Sequence, residues 1–152
     1  MYDEDKPHIT TILHGTPEFK PFEVVVAEEI IDSYLDDPFG SGYYILVAEV
    51  NSTVTGYICY GPTPLTEGTW DIYWMAVTRE KQGQGIGSAL MKSAEKEIVR
   101  AKGRLSIIET SSTPAYEKTR HFHVSHGYEI VARVPDFYAS GDDKLILQKR
   151  LR

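Results

Sequence analysis

Cysteine is almost absent from this sequence of 152 residues, long apolar runs are missing, and basic residues are outnumbered. Cys59, alone, cannot form an internal disulfide, and its setting in Gly56-Tyr57-Ile58-Cys59-Tyr60 predicts a packed side chain. No stretch approaches the roughly 20 apolar residues needed to span a bilayer. The start Met1-Tyr2-Asp3-Glu4-Asp5 lacks a basic leader and hydrophobic run, so a cytoplasmic protein without membrane partners is expected. Sixteen Lys and Arg against 22 Asp and Glu give a net charge of -6. That balance argues against a nucleic-acid partner, which needs clustered cations to neutralise phosphates, and tolerates a cationic amine. Five histidines offer no ligand spacing: His121, His123 and His126 share a helical segment without a metal pattern, so no metal is expected.

What is present is enough apolar material, 41% of residues, for one compact domain spanning 1–152. His8 to Leu13 reads as a short first strand, and Val24, Ala27, Ile30, Ile31, Tyr34 and Leu35 mark a helix ended by Asp36-Asp37-Pro38. Tyr43–Val50 and Val54–Tyr60 form an expected hairpin around Asn51-Ser52-Thr53. A strand at Trp70–Val77 then leads through glycines into a helix carrying Ile86, Leu90, Ala94 and Ile98 on one face. Leu105–Glu109 is the next strand. Thr113-Pro114 reads as the N-cap and first residue of a helix reaching His126, with Gly127 terminating it. Tyr128–Val134 and Lys144–Leu151 complete a strand pair, joined by a long turn Asp136–Asp143 that combines aromatics with carboxylates. The order β-α-β-β-β-α-β-α-β-β predicts an α/β (α+β) domain with a central mixed sheet flanked by helices.

The run Gln82-Gly83-Gln84-Gly85-Ile86-Gly87-Ser88 carries the strongest chemical signal. The first N–H groups of a helix lack intrahelical acceptors, and the peptide dipoles add positive potential there, so a phosphate fits; glycines let it approach the backbone. A dinucleotide fold would need Gly-x-Gly-x-x-Gly, but Ser88 takes the third position after Gly83 and Gly85. A P-loop would need a lysine between Gly87 and Ser88.

The order strand, Gln-x-x-Gly-x-Gly, helix resembles the acetyl-CoA pyrophosphate loop of the GCN5-related N-acetyltransferases, the GNAT family, at Gln82, Gly85 and Gly87. The element order is similar over nearly the whole chain, and Phe122-His123-Val124-Ser125-His126-Gly127-Tyr128 resembles the family's Phe-Tyr-x-x-x-Gly-Phe signature. The resemblance implies a GNAT-like acyl-CoA N-acyltransferase fold, with acetyl-CoA as co-substrate in a V-shaped opening between Trp70–Val77 and Leu105–Glu109. It places the pyrophosphate on Gln82, Gly83, Gln84, Gly85, Ile86, Gly87 and Ser88. Met75 and Val77 would pair with the pantetheine arm, and a backbone N–H near Ala76 or Val77 would serve the oxyanion.

Three departures from the family pattern stand out. Gln82 replaces a frequent Arg. His123 takes the position of a tyrosine that protonates the departing thiolate, which makes it the implied proton donor or relay, with Tyr116, Tyr138 or water as alternatives. Tyr116 and Thr119 stand where Asn and Ala are common. Tyr116, Thr119 and His123, at i, i+3 and i+7, share a helix face that would line the cofactor's thiol end, and Thr119 and Phe122 are implied cofactor contacts. Asp71 aligns with a fourth-strand Glu that serves as base in some members. It is one methylene shorter, so a water relay is implied. The expected activity is acetyl transfer to a primary amine of a small molecule or peptide, by direct attack in a ternary complex. A catalytically silent acyl-CoA sensor is the alternative, and a homodimer stays open.

Overall fold

Hairpin chemistry starts the sheet. In the computed structural model, which describes residues 1–152, Asn51 and Ser52 both take left-handed φ values, 51° and 64°, and close a tight turn between β1 (Tyr44–Val50) and β2 (Thr53–Pro62). Such a turn twists with the strands it joins. β3 (Thr69–Val77) continues the antiparallel meander, and the full order is β1-β2-β3-β4-β6-β5, where β4 is Leu105–Ser111, β5 Glu129–Ala139 and β6 Asp142–Arg150. Only the β3–β4 seam is parallel. The crossover between them is α3 (Ile86–Arg100).

β2 is buried on both faces because its alternate side chains serve two cores. Ile58 and Tyr60 meet Leu90, Met91, Ala94 and Ile98 of α3. Tyr57 and Cys59 meet α1 (Lys6–His14) and α2 (Pro21–Asp36) through Ile9, Leu13, Val24, Ala27 and Ile31. Each large side chain so buried contributes roughly 1.5–3 kcal/mol. Cys59 is buried and free, as its apolar setting indicated.

Three expectations need correction. Residues 8–13 are not a strand; they lie in α1. Pro7 occupies the helix's first turn, and Ile9, Ile12 and Leu13 fall at the three- and four-residue spacing that turns them onto one buried face. The helix expected from Thr113 begins instead with a 3-10 turn, Pro114–Tyr116, before α4 (Glu117–Ser125). Thr113 caps nothing with its side chain, because its hydroxyl is engaged with Ser111 Oγ at 2.8 Å. Gly127 does terminate α4, at φ 92°.

The third correction concerns Asp136–Asp143, which is not a long turn. β5 runs to Ala139 and the reversal is short, around Ser140 and Gly141. Between the pairs Val134↔Lys144 and Ala139↔Asp142 the β5 chain bulges outward through Pro135–Tyr138. Two carboxylates hold that bulge: Asp143 accepts the Asp136 N–H at 2.9 Å, and Asp136, at φ 55°, accepts the Gly141 N–H at 2.8 Å. Of the three acidic residues in the segment, two are therefore occupied by backbone.

Candidate active site

The seam between the two parallel strands opens into a cleft. β3 and β4 pair from Thr69–Leu105 to Ile72–Ile108 and then separate. At the point of separation Tyr73 is an extra residue in β3, lying between the pairs Tyr60↔Ile72 and Cys59↔Trp74, and this bulge bends the strand away from β4. The opening has a volume of about 510 Å³. Its floor is Asp71 to Met75 and Ile108 to Ser111; α2 closes one side with Phe22, Glu23 and Val26, and Tyr116, Thr119, His123 and Tyr138 close another.

The freed edge of β3 presents alternate backbone groups. Thr78 N–H donates to Thr55 C=O at 2.7 Å, which makes Thr55/Thr78 and, two residues on, Tyr57/Ala76 the pairs bonded across to β2. Met75 and Val77 consequently turn their N–H and C=O away from β2, toward the opened seam. Ala76 does not: its carbonyl faces β2 beside Gly56, and its side chain is buried in the core under α1 and α2. It is removed from the oxyanion candidates, leaving Val77. The Val77 carbonyl is free enough of the sheet to accept the Gln82 side-chain amide at 3.2 Å.

The glycine turn lies at the open end of that edge. Gly83 and Gly85 hold φ of 78° and 82°, values that L side chains rarely adopt, and a Cβ on either would meet nothing within 4 Å. The backbone there fronts open space. Gly85 is the N-cap of α3 and supplies no side-chain acceptor, so the helix's first amides are left unpaired toward that space. Gln84 bonds the Glu80 carbonyl at 3.4 Å, within the turn. Gly87 packs edge-on against Phe122, where a Cβ would come to 3.4 Å of the ring. Ile86 faces the core around α3. Ser88 bonds His126 Nε2 at 2.9 Å.

Asp71 lines the cleft and accepts a hydrogen bond from Thr63 Oγ1 at 2.6 Å on one carboxylate oxygen. His123 also lines the cleft but is 95% buried, as its 5% exposure shows, and its Nδ1 has no partner. Burial first, and the neighbouring His126 second, hold its pKa down at about 4. An unpartnered buried N–H costs more than a bare lone pair in apolar surroundings, which places the proton of the neutral ring on Nε2. His123 is therefore a neutral ring near neutrality. The phenols keep their protons: burial raises Tyr116 and Tyr138, the latter to about 12. Tyr116 donates to Glu23 at 3.3 Å.

The structure also brings in groups that sequence reasoning passed over. Glu18, Glu23 and Glu109 join Asp71 around the cleft, together with Asp142 of the carboxylate-bearing segment 136–143. Glu109 pairs with Lys144 at 2.8 Å, and Asp142 accepts from Ser111 Oγ. Arg120 clamps α4 to the end of β4 through the carbonyls of Ser111 and Thr113, at 2.8 and 2.7 Å. Glu109, directly after the apolar pair Ile107-Ile108 of β4, carried a faint signal; Glu18 and Glu23 precede or open a helix and carried none.

A mixed sheet splayed at its parallel seam, with an uncapped glycine-led helix at the open end, defines an acetyltransferase scaffold. The family described as "Acetyltransferase (GNAT) domain" matches residues 41–130, and the chain belongs to that family. An uncharacterised N-acetyltransferase of Methanocaldococcus jannaschii is 30% identical over 107 residues, taking in 68% of this chain and 64% of that protein, just under two thirds of its length. A crystal structure assigned to the GNAT family from Desulfovibrio desulfuricans superimposes with a TM-score of 0.95 at 36% identity, covering 99% of this chain and 94% of the other. An aminoglycoside 6'-N-acetyltransferase solved with coenzyme A shares the fold, with a TM-score of 0.77 at 19% identity over 99% and 92% of the two chains. No helix is long and apolar enough to cross a membrane.

Proposed function

We propose that the protein transfers the acetyl group of acetyl-CoA to a primary amine by direct attack in a ternary complex. The observation that carries this reading is the continuity of the freed β3 edge, Met75 and Val77, with the unpaired amides of α3 beyond Gly85. The edge suits the amides of a pantetheine arm and the helix start suits a diphosphate. Gln82, Gly83, Gln84 and Ser88 surround that start, and Thr119 and Phe122 flank the thiol end. In the transfer, the amine nitrogen forms a bond to the acetyl carbon as the carbon–sulfur bond breaks. The amine proton leaves through water to Asp71, and the thiolate takes a proton from Tyr138, whose hydroxyl makes no intramolecular hydrogen bond, or from water. The Val77 N–H stabilises the oxyanion. Five carboxylates around the cleft favour a cationic acceptor, either a small molecule or a peptide.

The neutral state of His123 also favours a second reading, a silent acyl-CoA sensor, because the position implied for the acid holds a ring that is scarcely protonated at neutral pH. An amine panel read by mass spectrometry for acetylated product, alongside CoA release, separates the two. The sensor reading stands if acetyl-CoA binds and every amine is returned unmodified.

His123→Phe has a specific expected outcome. A group whose folded pKa lies below the unfolded value of ~6.5 favours the folded state above that value and loses its contribution as pH falls toward the folded pKa. Wild-type stability should thus fall between about pH 6.5 and pH 4, and the variant should lose that slope, as read by urea unfolding across pH. Its kcat should change by about tenfold at most, with the wild-type pH–rate profile kept near neutrality. A loss of ~10²-fold or more, together with disappearance of a wild-type limb near neutrality, would identify His123 as the acid after all.

A further inference from the structure

We propose that His126 is a positioning residue that sets the direction of the Ser88 hydroxyl and couples diphosphate binding to proton uptake. The inference rests on the cofactor reading above and goes beyond it. His126 closes α4, and its Nδ1 lies 2.8 Å from the Phe122 carbonyl. A carbonyl only accepts, so Nδ1 carries the proton. The Ser125 hydroxyl, 3.3 Å from Nδ1, donates to the same carbonyl at 2.7 Å. The Phe122 ring lies 4.2 Å from the imidazole and holds its plane.

In the neutral ring Nε2 is then a bare lone pair, and the Ser88 O–H must donate to it across their 2.9 Å contact. Ser88 is the third residue of α3, within the turn of unpaired amides. With its proton turned toward α4, its oxygen offers only lone pairs to an incoming anion. Protonation reverses the bond: Nε2–H donates to Ser88 Oγ, and the hydroxyl proton is released to a phosphate oxygen. The cation on His126 adds attraction to the same anion. By linkage, a diphosphate that favours the protonated relay must raise the proton affinity of His126 by the same factor.

Few other charges face the ring. On α4, His123 is held neutral by burial first and by the neighbouring His126 second. From β6, Lys149 runs beneath Gly127 and is paired with Glu95 of α3 at 2.8 Å. The α3 group in contact is Ser88 itself.

The probe is dephospho-CoA, whose diphosphate does not titrate near neutrality, so that proton uptake belongs to the protein. Titration calorimetry in buffers of different ionisation enthalpy should show wild type taking up a proton on binding near pH 7. The affinity should rise about tenfold between about pH 8 and pH 6, as one hydrogen bond with a charged member is gained. His126→Phe should bind with no proton uptake and a flat pH dependence, and Ser88→Ala, which keeps the His126 cation but loses the hydroxyl donor, should show a clearly smaller slope. A flat wild-type profile, or a slope that survives in full in either folded variant, overturns the relay. Absence of binding at any pH by folded wild type overturns the cofactor reading itself, and the relay with it.

Discussion

Gly85→Glu is expected to weaken acetyl-CoA binding by ~10²-fold or more, because it acts on backbone, space and charge together. Gly85 sits at φ 82° as the N-cap of α3, where a side chain costs about 1–2 kcal/mol of backbone strain. The volume in front of it is open, so a Glu side chain enters the space a diphosphate needs. Its carboxylate would also occupy the free amides and repel the anion. Gly85→Asn separates these effects: asparagine tolerates left-handed backbone and is neutral, so it should cost about tenfold at most. Calorimetry with each variant, after confirming the fold by circular dichroism, reads both values. An unchanged affinity in folded Gly85→Glu would place the diphosphate elsewhere.

Asp71→Asn should lower kcat/KM by ~10²-fold or more near neutral pH, the usual scale of general acid–base catalysis. An alkylamine with a pKa near ~10.4 is almost fully protonated at pH 7, so a carboxylate that removes its proton governs the rate there. The deficit should shrink as pH rises toward that pKa, since solvent then supplies the free amine. Asparagine can still accept the Thr63 hydroxyl, which preserves the 2.6 Å contact and keeps β3 in place. A variant with wild-type rate and pH profile on a true amine substrate would reduce Asp71 to a strand-end carboxylate held by Thr63.

Where side-chain alternation and turn chemistry agree, the chain declares its structure locally. The β1–β2 hairpin, the apolar face of α3 and the end of α4 at Gly127 all follow from residues within a few positions of one another. Residues 8–13 show the limit of that reading. Isoleucine and threonine favour strands, but Ile9, Ile12 and Leu13 can be buried together only on a helix, and the core under β2 decided for the helix. The segment 136–143 failed differently. Its Asp and Gly residues suggest a loop, yet Asp136 and Asp143 use their carboxylates to hold a bulge inside a continuing strand pair.

The site divides along the same line. The glycine turn before α3 was legible because its features are backbone features: glycine spacing after a strand and before a helix sets the left-handed φ values and leaves the first amides of the helix uncapped. Asp71, His123 and Tyr138 were named one by one through the resemblance, but their convergence with Glu23 and Glu109 was not legible, because the five come from β3, α4, β5, α2 and β4 and meet only in the folded cleft. Residue type named His123 as an ionisable group, but burial decided that it is neutral. The resemblance likewise offered Ala76 or Val77 for the oxyanion; hydrogen bonding across to β2 turned Ala76 away from the cleft. What the sequence determined by itself is the family scaffold and its glycine turn, both set by local backbone preference. Only the tertiary structure decided which side chains face the reaction and in what charge state, because those depend on desolvation and on neighbours distant in the chain.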